Sequence, residues 1–143
     1  MHQSASEVVR LFIQEVRSGK YPEHAQKYMA PMVMAHQVYS GQAQVIERTP
    51  QNYTQHIHEF LECFGQYQFE IEEFINQGAK VYVRWRQIGH HRATILGYEA
   101  TGLPIDTVGS AVYRVEDGKI IEYWIQQENE GLLAQLETNA NRC

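Results

Sequence analysis

Seven histidines, nine tyrosines and two tryptophans carry most of the reactive potential of this sequence. An imidazole titrates near neutral pH and can move protons, a phenol can donate to a developing oxyanion, and an indole can stack on a planar ligand. Cys63 and Cys143 form no metal spacing and no disulfide framework, so neither zinc nor redox chemistry is expected. Strand parity sorts the remaining candidates, because successive side chains point to opposite faces. Ile121, Tyr123, Ile125 and Gln127 share one face, with Tyr123 a candidate donor or, alternatively, an aromatic core residue. Thr107, Gly109, Ala111 and Tyr113 share a face on a neighbouring strand, where the small residues leave room for a ligand. Val81, Val83, Trp85 and Gln87 place Trp85 inward, as a stacking platform or a core residue, and Arg84 and Arg86 outward to pair with acids. Asp106 and Glu128 fall on the outward parity, His90 is expected to face solvent, and His56 and His58 sit on a helix and rank below the other histidines.

The whole sequence bounds the function classes. Its 143 residues suit one domain, 1–143, and its 12 Lys+Arg against 17 Asp+Glu give a formal charge of −5. That charge argues against a phosphate-tracking surface, so nucleic acid is not an expected partner. No apolar run approaches the roughly 20 residues that cross a bilayer, and the opening MHQSASEVVR has no basic region followed by an apolar core. A soluble cytoplasmic protein without a membrane partner is expected.

The elements that must position these residues can be read in order. Ser4-Ala5-Ser6-Glu7 resembles a capping box, and Val8, Val9, Phe12 and Val16 share one face of a helix expected from Ser6 to Arg17. A helical piece is expected over Glu23–Tyr28, interrupted by Ala30-Pro31, and a strand over Met32–Val38. Gly41 to Arg48 has no clean period. Thr49-Pro50 caps a helix whose buried stripe is Tyr53, Ile57, Phe60, Leu61 and Phe64, with Gly65 at its end. The period then becomes two: Phe69–Glu72 and Lys80–Ile88 form a hairpin about Asn76-Gln77-Gly78, and Asp106–Val115 and Lys119–Gln127 form another about Asp117-Gly118. A long connection, Gly89 to Gly102, joins the hairpins, and Gly131–Leu136 forms a closing helical turn or two. Helices followed by an antiparallel sheet indicate an α+β layer architecture. Tyr82, Val108, Val112 and Trp124 give the sheet a second apolar face that a dimer would bury.

This order, together with Ala30-Pro31 to His36, Val83-Arg84-Trp85, Tyr113 to Ile120 and Glu122-Tyr123-Trp124, resembles the SnoaL-like polyketide cyclases of the nuclear transport factor 2-like superfamily. The similarity runs from about Glu7 to Leu136. The resemblance implies a curved, mostly antiparallel sheet wrapped around N-terminal helices as a conical pocket, in a homodimer that meets through the convex sheet face. It also implies an intramolecular aldol closure with no metal or organic cofactor. His36, after the early strand, and His91, at the pocket rim, match histidines of the family and join Tyr123 as catalytic candidates. Trp85, Tyr113, Ala111, Ile125 and Gln127 become the expected ligand-contacting wall. The family's last strand commonly reads His-Trp-Asp, whereas this chain has Tyr123-Trp124-Ile125, and an assisting histidine aligns with Ala111. Three readings fit: a cyclase-type enzyme acting on a carbonyl-bearing apolar metabolite, a binding or carrier protein for a small apolar or aromatic ligand, and an interaction module whose pocket is filled by Trp85 and Tyr113.

Overall fold

The computed structural model describes residues 3–37 and 44–142. The Ser4 hydroxyl accepts from the Glu7 backbone N–H and starts α1 (Ala5–Phe12), which buries Val8, Val9 and Phe12. The chain does not remain α-helical to Arg17 as the periodicity predicts. It widens into a π-helical turn, Ile13–Arg17, and this change of pitch brings Arg17 onto the buried side beside Ile13 and Val16. A 3₁₀ turn (Pro22–His24) and α2 (Ala25–Tyr28) lead into β1 (Met29–Gln37). Pro31 lies inside β1 rather than before it, within a register irregularity between Met29 and Met34 where no ladder N–H is required. The expected strand end at Val38 lies outside the described residues. The aperiodic stretch contains β2 (Gln44–Arg48), and Thr49 closes a reciprocal capping box with Asn52 at the start of α3 (Pro50–Phe64). Both hairpins form as expected: β3 (Gln68–Gln77) with β4 (Lys80–His90), and β5 (Pro104–Glu116) with β6 (Lys119–Gln127). Asp117 and Gly118 take the positive φ values of 52° and 75° that a two-residue turn needs.

The six strands form one curved sheet in the order β2-β1-β6-β5-β4-β3, antiparallel except for the β1–β6 pair. The α+β architecture is therefore the expected one. Inward side chains from Val33, Ala35, Val81, Val83, Trp85, Ala111, Tyr113 and Tyr123 pack against Val8, Phe12, Tyr53 and Ile57 of the helices. Two bulges keep the apolar set inward. Glu72 is skipped in β3, and the register shift at Arg114/Val115 pairs Val115 with Ile120, so Ile120 is buried and Ile121 is not the inward neighbour of Tyr123 that simple alternation predicts. The final helix, α4 (Asn129–Ala140), is longer than the expected turn or two. Its Gln135 exchanges two hydrogen bonds with the Asp106 backbone, and Asn139 donates to the Pro104 carbonyl, which ties α4 to the start of β5.

The outer face carries the ion pairs. Arg84 meets Glu72, and Arg86 makes a two-pronged pair with Asp106. His36 Nε2 lies 2.7 Å from a Glu122 carboxylate oxygen, while Arg114 Nε donates to the other at 2.9 Å. His36, with Arg114 behind it, holds the Glu122 carboxyl below its usual value. The stabilisation from that shift is present above the unfolded value of about 4.5 and is lost as pH falls through the lower folded value. Glu122→Gln is therefore expected to melt below the parent protein at neutral pH, and thermal melts over falling pH should show the gap closing below about pH 4.5.

Candidate functional site

Two adjoining chambers open on the inner side of the sheet. The outer one, about 390 Å³, lies between α3, β4, β5 and α4 and is lined by Trp85, Gln87, Thr107, Phe60 and Leu132, with Ile95 and Leu96 of the long connection at its edge. Its size falls within the range of small-molecule pockets. The inner one, about 180 Å³, is lined by Gln37, Ile46, Arg48, Tyr53, Tyr123 and Ile125. Arg17, His56, Phe60 and Gln127 line both and form their common wall.

Each side chain reaches this wall for a local reason. Trp85 lies across β5 because its cross-strand partner is Gly109: a Cβ there would stand 2.9 Å from the indole ring. Arg48 and Ile46 point inward because β2 pairs with Val33 and Ala35, whose own side chains are buried. His56 lies on α3 one turn after Tyr53 and one turn before Phe60, with its ring 4.5 Å from the Phe60 ring and 6.1 Å from that of Tyr53. Arg17 is only 3% exposed. Its guanidinium lies 4.7 Å from the Phe60 ring centre, 4.8 Å from Phe69 and 5.4 Å from Trp85, and donates to the Tyr67 hydroxyl at 3.3 Å.

Burial and two cations set the protonation states. His56 is pushed down to about 4 by burial, then by Arg48 and Arg17, so it is a neutral imidazole at pH 7. Burial raises the Tyr123 phenol, with the neighbouring Arg48 guanidinium opposing it. Tyr53 is raised well above its ordinary value by burial and by Tyr113 and Tyr123. The two chambers therefore offer a neutral imidazole, protonated phenols, two guanidinium groups and, in the outer chamber, the carboxyl groups of Glu59 and Glu128.

The sequence-predicted residues divide unevenly. Tyr123, Trp85, Ile125 and Gln127 line the chambers as expected. His36 does not: it sits on the outer face, stacked 5.0 Å from the Trp124 ring, because its parity in β1 is opposite to that of buried Val33 and Ala35. His91 is fully buried in the β4–β5 connection rather than at a pocket rim. Its backbone bonds Leu103 and Gly102, Thr101 Oγ1 lies 3.4 Å from its Nδ1, and it lines neither chamber. Tyr113 and Ala111 are inward but belong to the packed core, Tyr113 meeting Phe12 and Tyr123 at ring distances of 5.6 and 5.5 Å. Glu128 accepts from the Gly131 N–H and caps α4. His56 lines both chambers although its helical position ranks below the strand histidines by sequence, and Arg17 and Arg48 enter the site without a sequence motif. The signal for His56 was available, since it flanks the Tyr53–Phe60 stripe at helical spacing.

The sequence profile described as SnoaL-like polyketide cyclase matches residues 7–136. A crystal structure of a candidate polyketide cyclase from Acidithiobacillus ferrooxidans is similar over 96% of each chain, with 24% identity and a TM-score of 0.82. IdmH, a candidate polyketide cyclase from Streptomyces antibioticus, is similar over 94% of this chain and 99% of its own, with 23% identity and a TM-score of 0.77. A nuclear transport factor 2-like protein from Burkholderia thailandensis is similar over 94% and 98%, with 20% identity and a TM-score of 0.71. At these identities the likeness shows the fold. No protein of curated function matches the chain.

The imidazole assignment is open to direct measurement. The ring C–H proton of His56 is expected to titrate in NMR with a midpoint near 4. Arg48→Gln should move that midpoint upward, because a positive neighbour that disfavours imidazolium has been removed.

Proposed function

Because the chain belongs to the SnoaL-like polyketide cyclase family, we propose that its chambers take up a carbonyl-bearing, largely apolar metabolite and catalyse a cyclase-type proton transfer on it. The observation that carries this reading is a neutral His56 on the wall common to both chambers. Ile125 stands where the resemblance places the family's aspartate, and it cannot accept a proton. An ordinary aspartate titrates near pH ~3.9. Burial and the two guanidinium groups push His56 down to about 4, which gives the imidazole a proton affinity comparable to that of an ordinary aspartate.

In this mechanism His56 takes a proton from the carbon beside a substrate carbonyl, and the C–H electron pair passes through the new C=C bond to the carbonyl oxygen. The Tyr123 hydroxyl, on the wall of the inner chamber, stabilises that enolate oxygen. In an aldol closure the enolate carbon bonds to a second carbonyl carbon, and the new alkoxide recovers its proton from the His56 imidazolium. Trp85 provides a flat apolar floor, and Gln87 and Gln127 provide amide groups to orient the ligand. His36 and His91 take no part in this mechanism.

The test is exchange of the α-protons of α-tetralone, an aryl ketone, in deuterated buffer, followed by proton NMR. His56→Gln is expected to lower the protein-catalysed rate by roughly a hundred- to ten-thousand-fold, whereas His36→Ala leaves it near the parent value. Full exchange in His56→Gln would overturn the assignment. The apolar inner wall of Ile46 and Ile125 favours a carrier as the second reading, which predicts an intact ligand on the purified protein and no exchange at all.

We further infer a homodimer through the outer sheet face, where Met34 and Val45 are exposed beside the His36–Trp124 stack and Ile75 is exposed on the far edge strand β3. Sedimentation is expected to give a dimer for the parent protein and a shift toward monomer for Met34→Lys. A monomeric parent protein refutes it.

A further inference from the structure

Five arginines of this protein divide by face. Arg84, Arg86 and Arg114, on the outer face, each meet a carboxylate. Arg17 and Arg48, on the inner side, meet none among the described residues. Arg17 is held by aromatic rings and the neutral Tyr67 hydroxyl, and the Nε of Arg48 is buried with no hydrogen-bond partner. Among the described residues the inner chamber is lined by these two guanidinium groups, His56, two tyrosines and two glutamines, with no acid. The carboxylates that line the outer chamber are elsewhere engaged or exposed: Glu128 caps α4, and Glu59 is solvent-exposed on α3. A buried positive charge left unpaired is costly, and a planar guanidinium with a free donor edge matches a carboxylate fork to fork.

We propose that the inner chamber is an anion subsite that holds a carboxylate of the ligand against Arg48, with Arg17 adding its charge from the common wall. The substrate class is thereby narrowed from a carbonyl-bearing apolar metabolite to one that also bears a free carboxylic acid. An ester or amide of the same skeleton lacks the charge that two unpaired arginines select. This inference rests on the chambers being the ligand site, and not on His56 carrying the proton.

The probes are anthraquinone-2-carboxylate and its methyl ester, two planar carbonyl compounds that differ by one charge. Calorimetry with the full chain at pH 7 is expected to show the acid binding at least about tenfold more tightly than the ester. Arg48→Gln should remove most of that preference while leaving ester affinity within about threefold, and Arg48→Lys should restore part of it. In the unmodified protein the His56 NMR midpoint should rise further with bound acid than with bound ester, a readout that does not depend on a variant folding. Equal affinity for acid and ester, or an unchanged His56 midpoint with the acid bound, overturns the subsite while leaving the His56 mechanism standing. Loss of the mechanism in the exchange test, with acid preference retained, leaves the subsite standing. Failure of both probes to bind at millimolar concentration overturns the subsite together with the ligand reading of the chambers.

Discussion

Alternation of side chains across a bent sheet sends half of every strand toward the helices and half away from them, and the position of each ionisable group follows from that division. The inward set builds a continuous apolar core with α1 and α3, and the outward set carries the carboxylate pairs of Arg84, Arg86 and Arg114. A one-residue slip would exchange the two sets, so the bulges at Glu72 and Ile121 matter as much as the regular ladder. They absorb an extra residue in each strand and return Phe74 and Ile120 to the inside.

The core does not fill the concave side completely. Gly109 lets the Trp85 ring lie against the sheet instead of standing into the space, and α4 is tied to the start of β5 beyond it, so the outer chamber remains between them. Into the wall of the adjoining inner chamber the fold brings the guanidinium groups of Arg17 and Arg48, with no acid lining it among the described residues. Surrounding aromatic rings oppose the desolvation cost of Arg17 through cation–π contacts, each worth about 0.5–2 kcal/mol. The residual positive field has a chemical consequence. With burial it keeps His56 unprotonated, and it favours any negative charge that develops on an oxygen near Tyr123.

Much of the fold was legible because its signals are local. A serine or threonine oxygen at a helix start, an Asp-Gly pair at positive φ and a change of period from 3.6 to 2 each act over a few residues, and Ser4, Thr49 and Asp117-Gly118 behave as those rules require. Trp85, Tyr123, Ile125 and Gln127 reach the chambers for the same reason, since parity along an unbroken strand segment is a local property. His36 depends on a non-local contact instead. Its strand was visible but the pairing partner was not, and β1 joins β6 in parallel with His36 beside Trp124 on the outer face.

From its residues alone this chain determined most of its elements, its α+β class and the inward side of its long strands, because hydrogen-bonding turns and apolar periodicity are written within short windows. Only the tertiary structure decided that Arg17, Arg48 and His56 converge. They come from a π-helical turn, an edge strand with no clear period and a helix, and no short-range rule links positions so far apart in the chain. What joins them is the register of β2 on β1 and the packing of α1 and α3 on the sheet. The same assembly sets their protonation states, since burial and neighbouring charge exist only once distant segments meet.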